Sequence, residues 1–105
     1  LEHLTSRIDT MNELHRVLKP GAQVEIITPN AYHGAGFFQD PTHVSPWCRN
    51  SFQYYLDGSF AQQRLAKPYG ITARFKVIGQ IEDKCYPPDP YEPVWKIHAT
   101  LEAVK

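Results

Sequence analysis

Between Thr5 and Lys19 the apolar residues Ile8, Met11, Leu14 and Leu18 recur every three or four positions, a spacing that lays one continuous stripe along an α-helix. Val17 widens that stripe. Ser6, with Asp9 three residues on, offers an N-cap and a first-turn acid, and Lys19-Pro20-Gly21 supplies a basic last turn and a stop. The next run, Gln23 to Thr28, is short, β-branched and bounded by Gly21 and Pro29. It predicts a strand with Val24 and Ile26 on one face and Ile27 on the other. Helix, glycine turn and strand together make an αβ unit of the kind found in open sheets.

The periodicity then lapses. Asn30 to Ser45 scatters Gly34, Gly36 and Pro41 among polar residues around Phe37-Phe38 and reads as a loop, long enough to be functional or mobile. Ser45-Pro46 predicts an N-cap with proline at the first helical position. Phe52, Tyr55 and Leu56 carry that helix to Asp57-Gly58, and Phe60 to Leu65 carries a further turn or two before Pro68 and Gly70. From Thr72 to Ile81, Phe75, Val77 and Ile81 alternate with Arg74, Lys76 and Gln80, a long half-buried strand with Gly79 placed for a bulge. Trp95, Ile97, Ala99, Leu101 and Ala103 alternate with Lys96, His98, Thr100 and Glu102, so the chain ends in a second long strand, paired antiparallel to the first. The prolines at 87, 88, 90 and 93 cannot donate ladder hydrogen bonds, so the stretch from Asp83 to Pro93 is expected to be a stiff, protruding connection.

At 105 residues the chain is read as a single domain, 1–105, with a modest core. Eleven basic residues balance eleven acidic ones, so no overall field draws a phosphate backbone or anionic lipid, and neither nucleic acid nor membrane is expected as a partner. Near-zero charge eases self-association, and a homo-oligomer, most simply a homodimer, is expected. Cys48 and Cys85 stand far apart outside any C-x-x-C pattern and are read as reduced, partly buried thiols. No apolar run approaches the roughly 20 residues of a membrane span, and the start lacks a leader pattern; a cytoplasmic protein is the simplest reading.

His33, Asp40 and His43 place two imidazoles and a carboxylate in one loop, groups suited to general-base chemistry, and they are the candidate catalytic residues. Their spacing matches no established ligand pattern, and no metal site is expected. Simpler roles compete: Asp40 before Pro41 starts a turn, and His43 pins the loop through a backbone bond. Phe37, Phe38, Trp47 and Tyr54 are candidates to line a substrate pocket, although aromatics at helical spacing more often fill a core. Tyr86 and Tyr91 either form a recognition surface or pack over the hairpin end. For His15 and His98 ordinary packing suffices.

Glu2-His3-Leu4, then Asn12-Glu13-Leu14-His15-Arg16-Val17-Leu18-Lys19-Pro20-Gly21, then Val24 to Asn30, and Asp40-Pro41-Thr42-His43 before an aromatic-rich segment, resemble in order the C-terminal half of a class I S-adenosylmethionine-dependent methyltransferase (methyltransferase type 11/12-like). Ala22 departs from the second glycine common in that family. The resemblance implies a partial Rossmann-like α/β fold. Its small mixed sheet would hold strands equivalent to the fifth, seventh and sixth of the family, with two or three helices and a C-terminal antiparallel hairpin. Glu2 and His3 fall where the family approaches the methyl donor, and the resemblance makes them cofactor-binding only beside a missing N-terminal half. The Gly-rich turn that cradles the cofactor is not in this sequence, and Gly34-Ala35-Gly36 follows the wrong strand. The resemblance therefore implies a truncated methyltransferase-like domain that binds no S-adenosylmethionine and transfers no methyl group alone. Its partner, a second copy or the missing half, would meet the edge of the strand Gln23–Thr28. The alternative is a stand-alone, non-catalytic, self-associating binding module. A small metal-dependent enzyme built on His33, Asp40 and His43 ranks third.

Overall fold

The computed structural model describes residues 1–34, 36–86 and 94–105, apart from the side chains of residues 33 and 34. Helix α1 spans Arg7–Val17, with Ser6 as N-cap accepting from the Asp9 N–H at 3.1 Å. Met11 is fully buried, and Ile8, Leu14 and Leu18 pack partly against the same core. Val17 does not widen the stripe. It is 58% exposed, because six residues at about 100° each carry it roughly 120° around the helix from Met11.

Strand β1 runs Gln23–Gly34, well past the expected end at Thr28. Residues 30–34, read above as loop, remain strand because Asn30 bridges Trp47, the Ala31 N–H bonds the Trp47 carbonyl, and Gly34 pairs with Val94 at the start of β4 (Val94–Ala103). The pairing is regular from Gln23↔Glu102 to Pro29↔Lys96 and resumes at Gly34↔Val94, so Pro29 marks an irregularity in the ladder and not its end. Strands β2 (Phe75–Val77) and β3 (Glu82–Tyr86) pair successively with the other side of β4. The single strand expected over Thr72–Ile81 is thus two pieces. Gly79, at φ 72°, turns the chain between them, and the second piece extends into what was read as connection. Tyr91 and the prolines at 87, 88, 90 and 93 lie outside the described residues.

The strand order is β1-β4-β2, with β3 also on β4, and every ladder is antiparallel. The expected mixed sheet is corrected accordingly. β1 runs in the same direction as β2 and β3, but β4 lies between them, and among the described residues parallel pairing is confined to the single bridges Asn30↔Trp47 and Leu56↔Phe75. β1 is left at the margin, with no second ladder among the described residues.

The helix expected from Ser45-Pro46 does not begin there. Val44 and Ser45 give their N–H groups to the Glu2 carbonyl, and Trp47 gives its carbonyl to the Ala31 N–H at 2.7 Å, so the segment stays extended. Only then does a 3-10 helix form, Arg49–Tyr55, its start held by the Cys48 N–H donating to Ser51 Oγ at 3.0 Å. Helix α2 spans Phe60–Tyr69, longer than expected, and accommodates Pro68 in its last turn. Gly70, left-handed at φ 73°, ends it, and the Ile71 N–H returns to the Ala66 carbonyl at 2.8 Å.

The helices cover one sheet face. Met11, Trp47, Phe52 and Tyr55 pack there on Ile26, Phe75, Ile97, Ala99 and Leu101. The opposite face, bearing Glu25, Ile27, Lys76 and Lys84, stays exposed and is knit by a Lys76–Glu102 ion pair at 2.8 Å and a Tyr86–His98 hydrogen bond at 2.7 Å. The result is a two-layer α/β arrangement. No helix among the described residues is long and apolar enough to cross a membrane.

Candidate functional site

The C-terminal end of β1 is where the chemistry-bearing residues gather. The Glu2 carbonyl accepts from Val44 at 2.7 Å and Ser45 at 2.9 Å, the Ser45 hydroxyl donates to the Leu4 carbonyl, and the Arg7 guanidinium reaches the Pro46 carbonyl at 2.8 Å. These bonds stitch the segment 1–4 onto 42–46. Glu2 and His3 thereby meet Asp40 and His43, which lie about 40 positions away in sequence.

The loop is shaped by Asp40. Its Oδ1 accepts from the Thr42 N–H at 2.8 Å and the Thr42 hydroxyl at 2.6 Å, a side-chain turn that swings His43 inward. The His43 side chain is 9% exposed. Its Nδ1 lies 2.9 Å from the Phe37 carbonyl, and since a carbonyl only accepts, Nδ1 is the protonated nitrogen of that bond. His3 is held in the same way. Its Nδ1 donates to the Thr42 carbonyl at 3.2 Å and to Thr42 Oγ1 at 3.1 Å, whose own proton is already given to Asp40. Both imidazoles therefore turn Nε2 toward the acids: His3 Nε2 is 3.5 Å and His43 Nε2 is 3.9 Å from Glu2 Oε1, and His43 Nε2 is 3.5 Å from Asp40 Oδ2.

Glu2 divides its two oxygens. Oε1 faces the imidazoles, while Oε2 accepts from the Thr28 hydroxyl at 3.1 Å and the amino group of Leu1 at 3.2 Å. Burial alone would raise its pKa. Its own backbone N–H, the amino group and Thr28 outweigh that effect and hold the carboxyl below its ordinary value. Asp40 is held low chiefly by the Thr42 hydroxyl and N–H. Glu2, His3 and His43 can each present one ligand atom such that all three lie within 4.8 Å of one another. A cavity of about 310 Å³ opens beside them, with Glu2, Asp40, His43, Val94 and Lys96 in its wall.

The aromatic candidates do not form a common pocket. Phe37 and Trp47 are buried, at 5% and 1% exposure, Trp47 against Phe52 and Tyr55, and both are corrected from pocket lining to core. Phe38 is 74% exposed and meets Phe37 edge to face. Only Tyr54, stacked with Tyr69, lines a sizeable cleft, about 610 Å³, together with Arg7 and Cys48. A broader hollow of about 810 Å³ lies between Asn30, Tyr32, Gln53 and Asp83. Neither contains the acid and imidazole cluster. The side chain of His33 lies outside the described residues. Cys48 is half-buried and Cys85 exposed, so only the first is a partly buried thiol as expected.

Sequence reasoning singled out Glu2 and His3 apart from Asp40 and His43, and it missed Thr28 and Thr42, which orient them. A Thr between an Asp and a His was the available signal, since Asp-x-Thr is a natural side-chain turn. The arrangement can take up a proton at either Nε2 or hold a cation between two imidazoles and a carboxylate. No family model, curated protein or solved structure matches this chain.

Proposed function

We propose that this chain is the acceptor-side half of a class I S-adenosylmethionine-dependent methyltransferase, acting in the cytoplasm and binding cofactor only when its sheet is continued beyond β1. The observation that carries the reading is the strand order. A C-terminal strand inserted antiparallel between β1 and the β2/β3 pair, with β1 at the margin, fits the fifth, seventh and sixth strands of a Rossmann-like methyltransferase. In such a sheet a ligand crevice lies outside the C-terminal ends of the strands, and that is the end of β1 where Glu2, His3, Asp40 and His43 meet. Methyl transfer to a hydroxyl or amine requires loss of the acceptor's proton. His43, with Nδ1–H fixed on Phe37, is oriented to take that proton at Nε2.

Isothermal titration with S-adenosylmethionine tests the reading. The 105-residue chain alone gives no saturable heat, whereas the chain preceded by an in-frame Gly-rich strand-turn-helix half binds one equivalent. Stoichiometric binding by the 105 residues alone, or no binding by the extended protein, sinks it. A second reading, a self-associating module, is favoured by the marginal position of β1 and by Ile27, 46% exposed on the uncovered face. Light scattering that finds a dimer dissociated by Ile27→Lys supports it, and a concentration-independent monomer removes it.

A further inference from the structure

We propose that the cleft between the N-terminus of α1 and the 3-10 helix binds a small aromatic carboxylate, its carboxylate held by Arg7 and Tyr55 and its ring laid against Tyr54 and Tyr69. This cleft is separate from the acid and imidazole cluster, and its ligand does not depend on the methyltransferase reading.

The polar end of the cleft carries donors that the fold does not use. Tyr55 is only 4% exposed, yet its hydroxyl has no hydrogen-bond partner among the described residues. It is not sealed from solvent, as the buried Trp47 Nε1 is, so the open part of the side chain faces the cleft. A phenol enclosed to this degree ordinarily finds a partner, and a ligand oxygen in the cleft would complete it. Burial pushes the Tyr55 phenol up while the charge of Arg7 pulls it back, so near neutral pH the hydroxyl is an uncharged donor.

Arg7 is anchored through Nη1, which donates to the Pro46 carbonyl at 2.8 Å, with its guanidinium over the Trp47 ring, 5.8 Å from the centroid. It has no carboxylate partner among the described residues, and its Nε and Nη2 N–H groups remain to be shared. Ser6 accepts from the Asp9 N–H through its hydroxyl and from the Thr10 N–H through its carbonyl. The Arg7 and Ile8 N–H groups of the first turn are left over and add positive potential at the same end.

The rest of the wall selects the ligand. Arg7 is the only ionised side chain lining the cleft, so a single negative charge is matched and a phosphate dianion is not. A carboxylate presents two coplanar oxygens to the free edge of the guanidinium. Tyr54 and Tyr69 stack at 20° with centroids 6.3 Å apart, and Ile8 and Ile71 lie beside them, an apolar wall suited to a flat ring. A volume of about 610 Å³ holds a molecule of one or two rings.

The test is isothermal titration of the full chain with naphthoate, and with naphthamide and naphthyl phosphate as its neutral and doubly charged analogues. One equivalent of naphthoate binds with Kd below about 1 mM, and both analogues bind at least about 10-fold more weakly. Tyr55→Phe, which removes only the unpartnered hydroxyl, weakens naphthoate about 5–10-fold without lowering the melting temperature. Arg7→Gln weakens it at least about 10-fold, and Arg7→Lys, which keeps the charge and loses the fork, falls between that variant and the parent. Tyr86→Phe, in the bond to His98 on the other sheet face, leaves binding unaltered. Heat that does not saturate, equal binding of naphthamide, or Tyr55→Phe without effect on affinity overturns the proposal, and tighter binding of naphthyl phosphate overturns the assignment of a carboxylate.

Discussion

Asn12 is the strongest single tie between α1 and the segment that enters β2, and its removal has a calculable cost. Its Oδ1 accepts from the Thr72 and Ala73 N–H groups at 2.9 and 3.0 Å, and its Nδ2 donates to the Gly70 carbonyl at 2.9 Å. Asn12→Leu deletes all three bonds at similar volume. Gly70 and Thr72 are exposed, so water replaces the lost partner there, and each bond is worth about 0.5–1 kcal/mol. Ala73 is fully buried, and leaving its N–H unpaired costs about 1–3 kcal/mol. Leucine returns about 0.5 kcal/mol through better helix propensity. The net loss is about 2.5 kcal/mol, which for a chain of this size lowers the melting temperature by roughly 10–20 °C and the urea midpoint by about 1–2 M. Thermal and urea denaturation, each followed by far-ultraviolet circular dichroism, read the two quantities, with Asn12→Asp as the control that keeps the two-N–H acceptor and loses less. A midpoint for Asn12→Leu within experimental error of the parent would refute the argument that this side chain joins the two segments.

Three further outcomes are expected. Arg16 lowers the Glu13 carboxyl, Thr42 that of Asp40 and Lys76 that of Glu102, while Glu2 is low despite burial, so the stability these groups add is present above their ordinary values and lost as pH falls through the lowered ones. Tyr55 is raised by burial, so its contribution is complete below its ordinary value and lost as pH rises through the raised one. The urea midpoint should therefore be flat in these groups between about pH 5 and 9 and fall on either side, and a rise on acidification from pH 5 to 3 would contradict the assignments. Gly70→Ala should cost about 1 kcal/mol through left-handed strain alone, since a Cβ there meets nothing within 4 Å, and Gly70→Asn should cost less; equal stability of all three would refute the strained-cap account. A thiol reagent should label exposed Cys85 quickly and half-buried Cys48 slowly in the native protein, with the fast phase removed by Cys85→Ser; a single phase would contradict the burial assigned to these residues.

Where one physical signal governed an element, the residues announced it. The cap at Ser6, the stripe through Met11 and the strict alternation from Trp95 to Ala103 depend on local period and on burial against one face, and α1 and β4 match them. Gly70 read as a stop and Gly79 as a bulge within one strand; both adopt positive φ, and at Gly79 the strand divides in two. The misread elements are those decided by distant partners. β1 continues past Pro29 because Trp47 and then Val94 pair with it, and Pro46 starts no helix because Glu2 and Ala31 claim the backbone groups around it. Trp47 and Phe37 looked like pocket lining because aromatic content does not say which side of a loop faces inward. Local propensity yields in each case to a tertiary hydrogen bond or to burial.

The candidate site follows the same division between local and distant causes, with a consequence for its behaviour. Each residue type was visible, but the cluster is assembled by main-chain bonds from Val44 and Ser45 to Glu2 and by side chains bonded to carbonyls, none of which sequence spacing encodes. Because these bonds join neutral backbone groups, they hold the two segments together without help from an ion. The junction between residues 1–4 and 42–46 should therefore stay closed when the side chains around it are changed, since the Val44 and Ser45 N–H groups and the Glu2 carbonyl all belong to the main chain. Hydrogen exchange at the Val44 and Ser45 amides should be slow in the parent and equally slow in His3→Ala. Fast exchange at both amides in His3→Ala would mean that the imidazole contacts build the junction between residues 1–4 and 42–46, and the backbone stitching described here would not be its cause.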